Sequence, residues 1–154
     1  INHFLDQFKG TIYRQTMFAE FELEMGKMSE NGETLTADAL CKKYYDLNKL
    51  YFGPDMVSDE EIALEWSRIP HFFYNYYVFQ YATGFSAAVA IANRILEKGA
   101  PAVADYKRFL SSGSSTDPIS LLKIAGVDMS SPEPINEALK LFGSLIDELD
   151  ALLK

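Results

Sequence analysis

The chain has one cysteine and two histidines among its 154 residues, and that scarcity removes most familiar catalytic centres. Cys41 alone cannot form an internal disulfide, which fits a reducing compartment, the cytoplasm, rather than a disulfide-stapled fold. His3 and His71 are too few and too far apart for a conventional zinc set, which uses two His one helical turn apart with a Glu to activate water. Cysteine pairs, glycine-rich nucleotide loops, a Gly-x-Ser-x-Gly elbow and a calcium loop are also missing. Basic residues are outnumbered 14 to 22, and the net charge of −8 repels nucleic-acid phosphates and anionic headgroups alike. Neither nucleic acid nor membrane is expected as a partner. The most apolar stretch, Val78 to Ala92, is broken by Gln80, Thr83 and Ser86 and falls short of the ~18 apolar residues of a spanning helix. No basic n-region or small-residue cleavage site marks a signal peptide, and Ile1 opens directly into an amphipathic pattern, as if mid-protein.

Sustained period-two alternation is lacking too, so strands are not expected, whereas helical spacing recurs throughout. Phe4, Leu5, Phe8, Ile12, Met17, Phe18, Phe21 and Met25 predict a long first helix that ends between Gly26 and Gly32, with Gly10 a small cost inside it. Thr36 is placed to cap a second helix that stops before Gly53-Pro54. Ser58-Asp59-Glu60-Glu61 has capping-box spacing for a third, closed by Pro70. Tyr74 to Glu97 reads as a fourth helix, rich in small residues that let neighbours approach, with Gly99 at its end. Pro101, Asp117-Pro118 and Ser131-Pro132 open three more, the last with a broad apolar stripe from Ile135 to Leu152. The fold class is therefore all-α, read as a single multi-helix domain over residues 1–154.

Glu20, Glu22 and Glu24 form an acidic cluster, but no His follows at the offset that helical di-metal sites use, so a solvated face is expected. Cys41 beside Lys42 and Lys43 reads as a packed or half-exposed cysteine, because no His accompanies it. The unusual feature is one histidine amid polar aromatics: His71, Tyr74, Tyr76, Tyr77 and Tyr81. With a helix starting near Phe73, Tyr74, Tyr77 and Tyr81 fall within about 60° of one another, while Tyr76 points away and His71 lies just before that face. Imidazole and phenol groups so arrayed can donate to a developing oxyanion or hold a peptide backbone. By spacing alone, such a stripe is also what an ordinary core looks like.

The run RIPHFFYNYYVFQYATGFSAAVA, Arg68 to Ala90, resembles the C-terminal motif of oligoendopeptidase F-type zinc metallopeptidases of the thimet oligopeptidase-like family. Phe4 to Glu22, Leu47 to Asp55 and Gly126 to Leu139 are similar to that family in the same order. The resemblance implies a C-terminal helical part of a zinc oligopeptidase that cleaves short peptides in the cytoplasm. It also implies zinc held by a His-Glu-x-x-His helix and a later Glu in an N-terminal part against which this chain packs, leaving the chain inactive alone. It gives His71, Tyr74 and Tyr81 catalytic roles opposite the metal; Tyr77, on the same face, is read as a substrate contact, and Arg68 as an anchor for the loop or for a substrate carboxylate. The alternative is a self-standing helical module that binds a peptide or small ligand without catalysis.

Overall fold

Seven α-helices and no strand make up the computed structural model, which describes all residues from Ile1 to Lys154. The all-α expectation holds. Helix α1 (Asn2–Phe8) runs through a π-helical turn (Lys9–Tyr13) into α2 (Arg14–Glu30), and Gly10 sits in that turn. Helix α3 (Ala37–Phe52) begins as expected, since Thr36 Oγ1 accepts from Ala39 N at 3.2 Å, and it ends at Gly53 with φ 81°. Thr36→Ala should cost about 1 kcal/mol by orphaning that N–H. Its check is the shift in urea midpoint relative to the unchanged chain.

The capping box at Ser58 does not form. Ser58 Oγ donates to the buried Asn48 side chain, Asp59 caps without a side-chain bond, and the segment Glu60–Arg68 is a 3-10 helix rather than an α-helix. Three residues per turn eclipse positions i and i+3, which sets Arg68 directly above Glu65. A second short 3-10 turn, Pro70–Phe73, follows at once.

The next helix also starts later than the sequence predicts. Residues 74–78 are irregular, a bend over 74–76 and a turn at Val78, and α4 is Phe79–Lys98. Beyond it lie α5 (Ala100–Ser111), α6 (Pro118–Ile124) and α7 (Glu133–Leu153). Asp117 caps α6 by accepting from Ser120 N, as its place before Pro118 implies.

The chain divides into two compact units, Lys9–Ala82 and Ile1–Phe8 with Thr83–Lys154. In the first, Met17, Phe18, Phe21, Leu40, Tyr44, Leu47, Ile69 and Val78 form the core. In the second, Ala87, Ala90 and Ile91 of α4 meet Ala125 and Val127, while Phe8 is buried against Phe85 and Phe142. The small residues of α4 thus permit the close packing expected of them. Gly126, at φ 80°, also leaves room for the Arg94 guanidinium, which pairs with Asp105 at 2.6 Å. The stripe of α7 stays largely uncovered: Ile135, Leu139, Ile146 and Leu152 are exposed, and only Pro134 and Ala138 are buried in that helix.

Candidate active site

Ile69 and Val78 are both buried in the core of the first unit, so the eight residues between them form a loop anchored at each end. Phe72 adds a third anchor, with its ring 5.1 Å from Phe21 and 5.6 Å from Phe18. Phe73, Tyr74, Tyr76 and Tyr77 are exposed at the surface. His71 is the hub of a cluster of rings. Tyr77 stacks on the imidazole at 5.9 Å and 12°, while Tyr74 and Tyr81 meet it edge-on at 5.9 and 5.5 Å. His71 Nε2 and Tyr81 Oη are 3.1 Å apart, a hydrogen bond whose direction the imidazole tautomer sets.

The three tyrosines and the histidine predicted to act together are therefore together, but not for the helical reason. Tyr74 and Tyr77 lie in that irregular segment, and only Tyr81 occupies the first turn of α4. What replaces the helical face is a reversal at Asn75 and Tyr76, with φ 52° and 61°. Tyr76 faces away as expected, with its hydroxyl against Gly26 of α2.

Exposure separates the cluster from core. Tyr74 is 58% exposed, Tyr77 39% and Tyr81 37%, whereas the core tyrosine, Tyr44, is fully buried. These hydroxyls can meet a ligand. Tyr81's pKa is raised, first by its hydrogen bond with Tyr77, then by partial burial and by the neighbouring phenols, so its O–H remains a donor through neutral pH.

Arg68 reaches Glu65, whose Oε1 also accepts from Arg14 at 2.6 Å and whose Oε2 accepts from the Tyr44 hydroxyl at 2.6 Å. Burial on its own would raise the Glu65 carboxyl. The hydrogen bonds from Arg14 and Tyr44, with the charges of Arg14 and Arg68, outweigh it and hold the pKa below the usual carboxylate range. Burial and the bond to Glu65 push the Tyr44 phenol well above its ordinary value. Arg68 keeps a side chain that is 71% exposed while one end is tethered.

The acidic cluster is not the solvated face expected of it. Glu24 pairs with Lys27 and Lys43, Glu20 accepts from the Tyr51 hydroxyl, and Glu22 is buried, accepting from the backbone N–H of Tyr76 at 2.7 Å. Sequence spacing gave no signal for Glu22, because its partner is 54 residues away. Cys41 is half-buried and accepts from the Trp66 indole, and His3 is exposed. No group of three or more His, Cys, Asp or Glu side chains converges in a way that could hold a metal ion, and no step is assigned to a metal within these residues.

A surface array of hydrogen-bonding groups around one imidazole, on a helical scaffold, is chemically able to polarise or grip a carbonyl group. The profile of peptidase family M3 matches residues 1–141, and the chain belongs to that family. Among curated relatives, oligopeptidase PepF of Bacillus subtilis (strain 168) is 59% identical over 153 residues, covering 99% of this chain and 23% of its own length. The chromosomal oligoendopeptidase F of Lactococcus lactis subsp. cremoris is 43% identical, with coverage of 100% and 26%. The crystal structure of oligoendopeptidase-F from Enterococcus faecium superposes with a TM-score of 0.95 at 49% identity, covering 99% of this chain and 29% of that one. The chain thus spans about a quarter of the length of the relatives it matches.

Proposed function

We propose that these residues form the C-terminal helical part of a zinc-dependent oligoendopeptidase that hydrolyses short peptides in the cytoplasm, and that they supply the donors facing the scissile carbonyl. The observation that carries this reading is the exposed His71–Tyr81 hydrogen bond with Tyr74 and Tyr77 packed on the same imidazole, in a chain of family M3. His71 and Tyr81 donate to the carbonyl oxygen as attack makes it negative, and Tyr74 is the second phenol of that array. Tyr77 holds the imidazole plane and lines the peptide's path. Arg68, tethered by Glu65, presents its free face to the substrate's carboxylate or backbone.

The zinc ligands and the general base are assigned to parts of the protein outside these 154 residues. Packing against those parts gives the exposed stripe of α7 a partner, and the relatives' greater length supplies the chain for it. No helix is long and apolar enough to cross a membrane.

On its own the chain should be inert. The check is a quenched oligopeptide assay of this chain beside the full-length protein, with and without a chelator. Cleavage by the full-length protein that a chelator abolishes, with none by the chain, is expected. Cleavage by the isolated chain that survives both chelation and His71→Ala would refute the assignment.

A further inference from the structure

We propose that Glu22 and Gly26 of α2 are positioning residues for the tyrosine array: together they clamp Tyr76 in the left-handed conformation and so aim Tyr74 and Tyr77 at His71. The inference rests on the reading of that array as substrate-side donors. Its starting point is strain. Asn75 and Tyr76 both have positive φ, at 52° and 61°, without a glycine between them. Asn tolerates that region through its short polar side chain, but a tyrosine there is strained and persists only where surrounding structure over-determines it.

The over-determination is visible at both ends of Tyr76. Its N–H donates to Glu22 Oε1 at 2.7 Å, a charge-assisted bond to a residue only 6% exposed. Its hydroxyl end lies over Gly26, where a Cβ would collide with Oη. Positions 22 and 26 are one turn apart on the same face of α2, so one helix face holds the residue by its amide and leaves the space in which its ring tip lies. Backbone and ring cannot then rotate independently. Ile69 and Val78 fix the loop's ends in the core, which leaves the Asn75–Tyr76 reversal as the point that sets how Tyr74, before it, and Tyr77, after it, face the imidazole. If residues 75 and 76 relaxed to negative φ, the chain direction between the two tyrosines would change and at least one ring would leave His71.

Neither residue touches the proposed substrate surface, so their effect must pass through the array. The test uses the full-length protein with Glu22→Ala, Glu22→Gln, Gly26→Ala and Tyr74→Phe, alone and combined, on a quenched oligopeptide. Hydrogen exchange across residues 72–78 is read in parallel. Glu22→Ala and Gly26→Ala should each lower kcat roughly 10-fold or more, the scale of a modest misplacement of catalytic groups. Glu22→Gln, which keeps an acceptor, should recover most of the loss, and Glu22→Ala should speed exchange of the Tyr76 amide. In the Tyr74→Phe background, Glu22→Ala should cost much less, because the group it aims is already gone. A merely structural role would lower the unfolding midpoint while leaving kcat and this coupling unchanged.

Unaltered Tyr76 exchange in Glu22→Ala overturns the clamp. So does a full kcat in Glu22→Ala when Tyr81→Phe is impaired, or strict additivity with Tyr74→Phe. Full activity in both Tyr74→Phe and Tyr81→Phe overturns the donor reading instead, and the exchange rate then decides the clamp by itself.

Discussion

Tyr81→Phe in the full-length protein should lower turnover 10²- to 10³-fold, corresponding to about 2.7 to 4 kcal/mol of lost transition-state stabilisation. The substitution removes one oxygen and keeps the ring, so the edge-on contacts with His71 and Tyr77 survive and folding is spared. The loss should fall on kcat rather than KM, since a donor to a developing oxyanion contributes most after the carbonyl has become tetrahedral. His71→Ala should cost at least as much, because it removes a donor and also the surface on which Tyr74, Tyr77 and Tyr81 converge. Steady-state kinetics on a single quenched peptide measure both. A Tyr81→Phe enzyme with unchanged kcat would take that hydroxyl out of the chemistry.

The second large effect concerns stability. Glu65→Ala should destabilise the chain by about 3 kcal/mol, the lower end of the range for breaking a buried ion pair, because Arg14 keeps partial access to water. The Tyr44 hydroxyl, fully buried, would lose its acceptor as well. Glu65→Gln restores that acceptor and should recover part of the loss. Urea unfolding followed by the fluorescence of Trp66, the chain's one tryptophan and a neighbour of the same core, reads the difference. The pH dependence has a definite sign. Glu65's carboxyl pKa is lowered in the fold, so its contribution is present above the unfolded-state value of 4.5 and is lost as pH falls through the lower folded-state pKa. The unchanged chain should therefore lose stability in acid more steeply than Glu65→Ala. Equal acid slopes would show that Glu65 titrates alike in both states.

Local signals were legible in the sequence where the physics is local. Thr36, Gly53, Gly99 and Asp117 satisfy or release backbone groups within a few residues of themselves, and each helix end stands where those residues put it. The membership of the aromatic cluster was legible too, because so many phenols beside one histidine is an uncommon composition for a surface segment. Its geometry was not. Helical periodicity predicts a continuous helix from Tyr74, and the chain instead bends there. Glu22 and Gly26 hold Tyr76 across half the first unit, and Ile69, Phe72 and Val78 claim the core positions. The 3-10 course of Glu60–Arg68 was hidden for the same reason. Its buried carboxylate answers to Arg14 and Tyr44, 51 and 21 residues away, rather than to the Ser58 cap that the local pattern offers. Long-range polar contacts to side chains outside the local window overrode short-range preference at both places.

The central claim is that the His71 cluster faces the carbonyl under attack, and a crystal structure of the full-length protein with a phosphinic peptide inhibitor tests it most directly. A tetrahedral oxygen of the inhibitor within roughly 2.7 to 3.1 Å of Tyr81 Oη or a His71 ring nitrogen is the predicted result. An inhibitor bound with its tetrahedral centre remote from His71, Tyr74 and Tyr81 would contradict it.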